Sequence, residues 1–298
     1  MGPRKKTMIQ GALSVLGAGL FFCVAPAALA GATEQQEELH FAVKDRPVVI
    51  LDNIVNGRIE VKSWKNSEVV VTSTSAPGKV AIEVEQVGDR IDINASSLVP
   101  ASQPHEVEAD FQLLVPEQTE LQLRTQTGLI LVEQVNGDMK LQSVAGDVHL
   151  REVSGYIIVK TTGGSLVCTL CSGKLEFTSI SGGAQILQPS LTSVNLMTTT
   201  GNILYDGDFI HTGLYTMNSG RGLVEVRFSG DDSFDLNAQT YRGTVDNQAA
   251  DFVKPDPHGG KHHPVSKFSR SLFGTVGQGL AKVELSTYSG TIRILKRN

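Results

Sequence analysis

The sequence predicts an all-β fold, a single-chain β-solenoid (β-helix) of short strands and glycine corners with about nine residues per half-turn. Apolar residues alternate on Thr- and Val-rich sequence, which is typical of strands with one buried face. Glycines recur every nine residues, which indicates corners where the backbone needs φ > 0. The corner glycines are Gly128, Gly137, Gly146, Gly155, Gly164, Gly173 and Gly182.

Between these glycines, apolar residues recur two, four and seven places after each corner. Two nine-residue units are expected to make one turn of about eighteen residues, and the apolar rows of successive turns are expected to stack into one continuous core. The residues expected to face that core are Met139, Leu141, Val144, Val148, Leu150, Val153, Ile157, Val159, Leu166, Cys168, Cys171, Leu175, Phe177 and Ile180.

Residues 1–30 are predicted to be a signal peptide. A basic start, Arg4-Lys5-Lys6, precedes an apolar run, and Ala28-Leu29-Ala30 offers small residues to signal peptidase. Cleavage there would start the mature chain at Gly31. An uncleaved membrane anchor is the competing interpretation, which the shortness of the apolar run disfavours. We therefore expect an exported protein that is periplasmic, at the cell surface or secreted, and that is not transmembrane after cleavage.

The rest of the chain is predicted to form one domain. Its first third resembles the repeats with a looser period, so a separate small β-domain is the alternative there. Lys296 and Arg297 at the ending would discourage pairing at an exposed edge. The predicted segments are a lead-in at 31–45 and a single β-solenoid domain at 46–298, divided into irregular N-terminal turns (46–120), regular repeats (121–248), a loop (249–275) and a closing hairpin (276–298).

The charge balance argues against nucleic acid as a partner. The formal net charge is −5, and loss of the three basic residues of the signal peptide lowers it to −8. Nucleic-acid binding requires a basic face that neutralises phosphates. The expected kind of partner is an envelope protein or a polysaccharide, whose identity the sequence leaves unknown.

Cys168 and Cys171 form a C-x-x-C pair in the middle of the repeats. A zinc site would need a second pair of ligands at comparable spacing, and thioredoxin-like chemistry would need the pair at the start of a helix. Both cysteines fall in the inward register, so buried core thiols are the preferred interpretation. A local disulfide is the alternative in an oxidising compartment.

Three histidines lie close together in the predicted loop, at His258, His262 and His263. Side chains at positions i, i+4 and i+5 of a flexible loop can converge on a transition metal. A solvated loop is the interpretation that we prefer. The sequence thus predicts no cofactor and no metal site, with these histidines as the candidates should a metal bind.

A carbohydrate-active enzyme is the alternative function, since stacked strands can offer a long groove to a sugar chain. A polysaccharide lyase or hydrolase needs carboxylates, or Lys and Arg beside acids, gathered on one outward face. The outward candidates are scattered and show no paired acids at one-turn spacing. They are His149, Arg151, Glu152, Lys160 and Glu176.

Three stretches carry a family resemblance. They are Asn56-Gly57-Arg58-Ile59-Glu60-Val61 with Trp64, the nine-residue S/N-G units, and the ending Gly277-Gln278-Gly279 with Thr287-Tyr288-Ser289-Gly290-Thr291-Ile292. With these stretches the chain resembles the bacterial putative-adhesin family, exported β-strand-repeat proteins classed as a domain of unknown function. The resemblance covers about residues 45 to 297. It implies a β-solenoid with an adhesion or surface role and brings no catalytic residues, while the histidine-rich loop departs from the family's pattern.

We therefore expect an exported, non-catalytic, adhesin-like or structural and binding module of the bacterial cell envelope, which presents an extended β-solenoid surface. No catalytic residue is predicted.

Overall fold

The computed structural model describes residues 5–8, 35–99, 107–255 and 270–297, with the backbone alone described at 5–8 and 254–255. Every regular element in these ranges is a β-strand, so the predicted all-β class is confirmed. The predicted signal peptide lies outside the described residues except for Lys5–Met8, which forms a short strand.

The strands form two sheets. Sheet 1 has fourteen strands, which are, in spatial order, β1 (Lys5–Met8), β6 (Val80–Val87), β7 (Arg90–Ser97), β3 (Val48–Asn53), β9 (Glu120–Thr125), β11 (Met139–Ser143), β13 (Ser154–Thr161), β15 (Ser172–Ser179), β17 (Ser190–Thr200), β19 (Leu214–Arg221), β25 (Ala281–Thr287), β21 (Phe234–Thr240), β24 (Ser271–Val276) and β23 (Lys254–Pro255). Sheet 2 has twelve strands, which are, in spatial order, β2 (Gln35–Ala42), β5 (Glu68–Ser75), β8 (Ala109–Pro116), β4 (Ile59–Trp64), β10 (Ile130–Glu133), β12 (Val148–Arg151), β14 (Leu166–Thr169), β16 (Ala184–Leu187), β18 (Ile203–Asp206), β20 (Leu223–Phe228), β26 (Thr291–Lys296) and β22 (Thr244–Asn247).

From β9 to β20 the chain alternates strictly between the two sheets. Each strand pairs in parallel with the next strand of its own sheet, so that Met139 of β11 lies beside Ile157 of β13, eighteen residues further along the chain. One extra residue, Thr192, forms a bulge where β17 pairs with β15. The spacing of the glycines in the sequence therefore corresponds to the spacing between paired strands.

One hydrophobic core runs between the sheets, from Val43 to Ile294. Leu141, Val159 and Phe177 have no exposed surface, because alternate residues of each strand point inward. The first third of the chain continues this arrangement, since β3 pairs with β9 and β4 pairs with β10.

Two segments expected to lack regular structure contain strands. The predicted lead-in contains β2, which pairs antiparallel with β5 at the edge of sheet 2. Only Leu39 and Phe41 pack on the core there, so the strand has few apolar residues to mark it. The predicted loop at 249–275 includes β23 and most of β24, which pairs antiparallel with β21.

The predicted closing hairpin is wrong. Strand β25 lies in sheet 1 between β19 and β21, and β26 lies in sheet 2 between β20 and β22. The turn at Ser289-Gly290 is a corner between sheets, because it has the same spacing from Thr287 to Gly290 as the corners of the repeats. The last two strands are therefore inserted between earlier ones instead of covering the end.

The glycines form two rows of corners. In the first row, a Cβ on each glycine after Gly57 would overlap the backbone carbonyl oxygen of its neighbour in the row. The first row comprises Gly57, Gly128, Gly146, Gly164, Gly182, Gly201, Gly222, Gly290 and Gly243. The second row contains Gly137, Gly155 and Gly173, with the same overlap between neighbours.

The expected need for φ > 0 holds only in part. Gly128, Gly155 and Gly173 have φ of 98°, 124° and 96°. Gly146, Gly164 and Gly182 lie outside the left-handed region. At those positions glycine is needed because the backbones of neighbouring corners in the row approach each other closely.

A row of buried hydroxyls accompanies the first row of glycines. The Ser143 hydroxyl accepts the Gly146 N–H at 2.7 Å, and the Thr161 hydroxyl donates to the Gly164 carbonyl at 2.6 Å. These bonds satisfy backbone groups that the corner removes from the strand ladder. The row, three residues before each glycine of the first row other than Gly57, is Thr125, Ser143, Thr161, Ser179, Thr198, Ser219, Thr287 and Thr240.

The hydroxyl row explains two errors in the predicted core. Val144 and Ile180 are 45% and 58% exposed, because the preceding serine occupies the inward position. Three residues before glycines of the second row, Glu152 and Leu170 adopt left-handed φ of 55° and 56°. A left-handed residue interrupts the alternation of inward and outward side chains. Cys171, the residue after Leu170, is therefore buried as predicted.

Candidate functional site: a polar groove along the second row of corners

A shallow groove follows the second row of corners on sheet 1. It consists of two adjoining hollows of about 400 Å³ and 710 Å³, which share Asp138 and Gly155. The groove runs past Gly137, Gly155 and Gly173, where the backbone carries no side chain that could fill it. Stacked strands hold the groove walls, so its polar groups sit on a rigid frame.

Side-chain hydrogen bonds fix the polar residues at the first hollow. The Ser154 hydroxyl donates to Oδ1 of Asn136 at 2.5 Å. The Asn136 amide donates to Oε1 of Glu117 at 2.8 Å. These hydrogen bonds join three successive corners, of which Asn136 and Ser154 line the groove.

Tyr156 is the aromatic residue of the groove, and it is 38% exposed. Its backbone N–H donates to Oδ1 of Asp138 at 3.0 Å, and its hydroxyl donates to Oε1 of Glu176 at 2.6 Å. The hydrogen bond to Glu176 is the main cause that raises the pKa of Tyr156 above its usual range, with burial and the charges of Glu176 and Asp138 adding to it. The phenol therefore stays protonated and holds one orientation.

The groove carries both charges. Glu120, Asp138 and Glu176 supply carboxylates, and Arg46 and Lys174 supply cations. An aromatic ring among carboxylate, amide and hydroxyl groups can bind a polar ligand by hydrogen bonds and ring contact. The sequence did mark these side chains, since Asp138, Tyr156 and Lys174 each follow a corner glycine, but our sequence reasoning did not single them out.

Of the candidate residues of the enzyme hypothesis, Arg151 and Glu152 lie close together, with Nε of Arg151 3.9 Å from Oε1 of Glu152, and the others are spread over both sheets. His149 and Arg151 lie on β12 of sheet 2, whereas Lys160 and Glu176 lie on β13 and β15 of sheet 1. Glu152 lies at a corner. Nε of Arg151 is 3.3 Å from Oε1 of Glu133, an ordinary ion pair of an exposed sheet face.

Acids do gather at one place on sheet 2, around three arginines, of which Arg297 lies 3.6 Å from Asp206. Arg227 lies 2.6 Å from Glu225 and 3.4 Å from Asp206. Arg293 lies 3.0 Å from Glu225 and 3.5 Å from Asp246. Each of these carboxylates is thus held in an ion pair, an arrangement that stabilises charge between adjacent strands.

The two cysteines of the repeats form a disulfide, with a Cα–Cα distance of 6.0 Å. Both are fully buried, so the inward register is confirmed, but the preferred interpretation of free core thiols is wrong. The reason is geometric: the left-handed residue Leu170 turns the chain so that Cys171 points back toward Cys168.

The predicted candidates for metal ligands are the three histidines of the loop. His258, His262 and His263 are outside the described residues, so their metal binding stays a prediction. Elsewhere, in the described ranges, no three His, Cys, Asp or Glu side chains gather closely enough to hold a metal ion.

These features define an all-β protein with a polar surface groove. The chain belongs to the Toastrack DUF4097 family, which matches residues 54–295. This confirms the resemblance to a putative-adhesin domain of unknown function. A comparison with curated proteins gave no match.

Three solved structures are similar over most of their length. A putative adhesin from Bacteroides fragilis has 10% identity and a TM-score of 0.42, covering 88% of this chain and 98% of the other. A putative adhesin from Parabacteroides distasonis has 10% identity and a TM-score of 0.35, covering 87% and 97%. A putative cell adhesion protein from Clostridium sporogenes has 10% identity and a TM-score of 0.29, covering 88% and 100%.

Among the described residues, the structure contains no helix with the length and apolar character to cross a bilayer.

Proposed function

We propose that this chain is an exported, non-catalytic, adhesin-like binding module of the bacterial cell envelope. The observation that carries the proposal is the polar groove, in which Tyr156 is held by Asp138 and Glu176 on a rigid frame of stacked strands. Membership of a family of adhesin-like domains supports the same role. The groove would bind an envelope protein or a polysaccharide.

The shape that suits this role is a β-solenoid with about nine residues per half-turn. Its support is the constant offset between paired strands in the middle of the chain. Val148 lies beside Leu166, and Leu166 lies beside Ala184, eighteen residues apart in each case. Such stacking extends one binding surface over many turns.

Export to the periplasm, the cell surface or the medium is supported by the disulfide. A disulfide between Cys168 and Cys171 persists in oxidising compartments, whereas cytosolic reductants keep most thiols reduced. Cleavage at residue 30 would remove β1 and leave β6 as the edge of sheet 1. Cell fractionation followed by N-terminal sequencing tests this part of the proposal, and a mature N-terminus at Gly31 is expected.

The binding role is tested by retention of the purified protein on envelope fragments of the source bacterium. We expect Asp138→Asn and Tyr156→Ala to lower retention about fivefold each, because both remove groups that shape the groove. The matched control is Leu114→Ala, an exposed apolar residue of β8 in sheet 2 that lies outside the groove. Retention that is equal for the wild type and both groove variants would contradict the proposal.

The carbohydrate-active alternative predicts release of sugar fragments from the same envelope material. Its best placed acids are Asp206, Glu225 and Asp246, which lie beside arginines. If Glu225→Gln abolished a measured release of fragments, this alternative would replace the binding role.

A further inference from the structure

We propose that a second site, formed by stacked tyrosines and arginines at one end of sheet 1, binds an acidic polysaccharide. The site goes beyond the groove, since it lies on the other row of corners. We call it the tyrosine platform and define it by Tyr241, Tyr288, Arg242 and Arg221.

The platform belongs to the row of residues that directly follows the buried hydroxyls. This row is exposed, as Val144 and Ile180 show. In spatial order it contains Val144, Thr162, Ile180, Thr199, Gly220, Tyr288 and Tyr241.

The two tyrosines stack on each other. Their ring centroids are 5.2 Å apart and the rings are inclined by 17°. Tyr241 is 62% exposed and Tyr288 is 52% exposed. Large aromatic rings with this much exposure are typical of recognition surfaces, since a folded chain otherwise tends to bury them.

The strand beside Tyr288 carries no side chain at the position next to the Tyr288 ring. Tyr288 lies next to Gly220, whose carbonyl accepts the N–H of Ser289 at 2.9 Å. Gly220 has no side chain, and a Cβ there would press on the Thr199 carbonyl oxygen, so the position requires glycine. Thr199 and Tyr288 are two strand spacings apart, about 9.5 Å. One flat ring fits between them against the face of Tyr288 that Tyr241 does not cover.

Two arginines give the platform a positive charge. The guanidinium carbon of Arg242 is 5.7 Å and 5.8 Å from the two ring centroids. Arg221, the residue that follows Gly220 at the end of β19, is exposed. Within the part of the chain that the structure describes, neither arginine forms an ion pair. Other arginines on the sheet faces are paired with acids, namely Arg58, Arg90, Arg124, Arg151, Arg227, Arg293 and Arg297.

This combination favours a ligand that has ring faces and sparse negative charge. The apolar C–H face of a pyranose packs on an aromatic ring, whose face is electron-rich. A carboxylate on the sugar can form a bidentate pair with a free guanidinium. A nucleic acid would need more cations than two on a chain of net charge −5. A polymer of uronic acids therefore fits the platform best.

The test measures binding of the full protein to polygalacturonate, with neutral amylose and an oligothymidine as comparison probes. We expect Tyr288→Ala and Arg242→Gln each to weaken polygalacturonate binding about fivefold. The matched controls are Leu114→Ala and Arg124→Gln, an exposed apolar residue of sheet 2 and an exposed arginine of sheet 1, which lie outside both the groove and the platform and are expected to change binding less than about twofold. Thermal unfolding of each variant checks that the fold is retained.

Three results would overturn the inference. They are polygalacturonate binding unaffected by the platform variants, amylose binding as tight as polygalacturonate binding, and binding of oligothymidine in place of polygalacturonate. Because the probes are purified polymers and the variants lie outside the groove, this result is independent of retention on envelope fragments. A failed groove experiment therefore leaves the platform experiment interpretable.

Discussion

Each position in a corner of the repeat requires a particular kind of residue. Gly164 must lack a side chain because the carbonyl oxygen of Gly146 occupies the space of a Cβ. Three residues earlier, Thr161 must carry a hydroxyl that bonds the Gly164 carbonyl. In the opposite corner, Leu170 is left-handed without being glycine, at a cost of about 1 kcal/mol. A residue's role is thus set by the corner it occupies.

Gly164→Ala is expected to lower the free energy of unfolding by about 2 kcal/mol or more. The added Cβ meets rigid backbone, so neighbouring rungs must separate. Denaturant unfolding followed by circular dichroism measures the effect.

The adjacent Gly163 provides the matched control. A Cβ at Gly163 would have its nearest neighbour at 3.6 Å, in ordinary contact with the Ser181 hydroxyl. Gly163→Ala should leave stability unchanged or raise it by up to about 1 kcal/mol, since alanine restricts the unfolded chain. Equal destabilisation by both substitutions would contradict the close-approach explanation.

The sequence alone could predict where the corners fall, but not how the two rows of corners differ. The nine-residue spacing treats both half-turns as equivalent, so it placed Val144 and Ile180 in the core, where Ser143 and Ser179 actually point inward. The repeated Ser/Thr-x-x-Gly pattern was visible and could have revealed the difference. The groove residue Tyr156 could also have been found, because its partner Asp138 lies eighteen residues earlier, one predicted turn away. The platform residue Tyr288 could not, because it stacks on Tyr241, which follows a strand whose place in the sheet is a property of the fold.

Asp232 gives stability a dependence on pH. Its carboxylate accepts the N–H groups of Phe209 at 3.0 Å and Ser229 at 2.9 Å, and burial raises its pKa above the usual 3.8, as the leading cause. A raised pKa means that the folded state holds the proton more tightly than the unfolded state does. The resulting stabilisation is complete below pH 3.8 and is lost as pH rises through the folded-state pKa.

Asp232→Asn removes this titration. The unfolding free energy of the wild type minus that of the variant should fall as the pH rises above 3.8, the usual pKa of an aspartate. Urea unfolding at several pH values measures it. A difference that stays constant or grows over this range would show that the carboxyl does not titrate as its burial implies.

At the scale of elements, the corners fasten successive strands to each other. The link between β14 and β15 is only two residues long and contains the disulfide partner Cys171 and the left-handed Leu170. A covalent bond across so short a loop constrains the unfolded chain only slightly. It therefore secures one corner and is not expected to hold the two sheets together.

Replacing both cysteines, Cys168→Ala with Cys171→Ala, should lower the free energy of unfolding by about 2 kcal/mol, the loop-closure entropy expected for a four-residue loop. The β-sheet signal in circular dichroism should remain. Alkylation in denaturant followed by mass spectrometry checks the bond itself. Labelling of either cysteine without prior reduction would contradict the disulfide.

On the scale of the whole molecule, the two sheets and their single core depend on strands that are distant in sequence. Strand β25 pairs with β19 on one side and β21 on the other, and β26 does the same for β20 and β22. The C-terminal end of the molecule therefore needs its last strands as internal partners. By contrast, each strand from β11 to β16 pairs only with the strands of its own sheet that come directly before and after it in the sequence.

Truncation after Gly279 should unfold one end and spare the middle. Without β25 and β26, residues 234–247 lose their parallel partners in both sheets. Hydrogen exchange should show their amides exchanging as in an unfolded chain, while residues 120–187 keep their protection.

A shorter truncation, after Lys296, is the control, because it retains all of β26. Its exchange pattern should match that of the full chain. Protection of residues 234–247 in the long truncation would mean that β21 and β22 hold their places without the inserted strands.

The inserted position of β25 and β26 also orders events during synthesis. Rungs such as β11 and β13 can close as soon as eighteen further residues leave the ribosome or the translocon. The places beside β19 and β20 stay vacant until residues 281–296 emerge, because β25 and β26 occupy them. Assembly of this end therefore waits for strands made much later than β19 and β20, and until then the unpaired edges of β19 and β20 are open to chaperones and to mispairing.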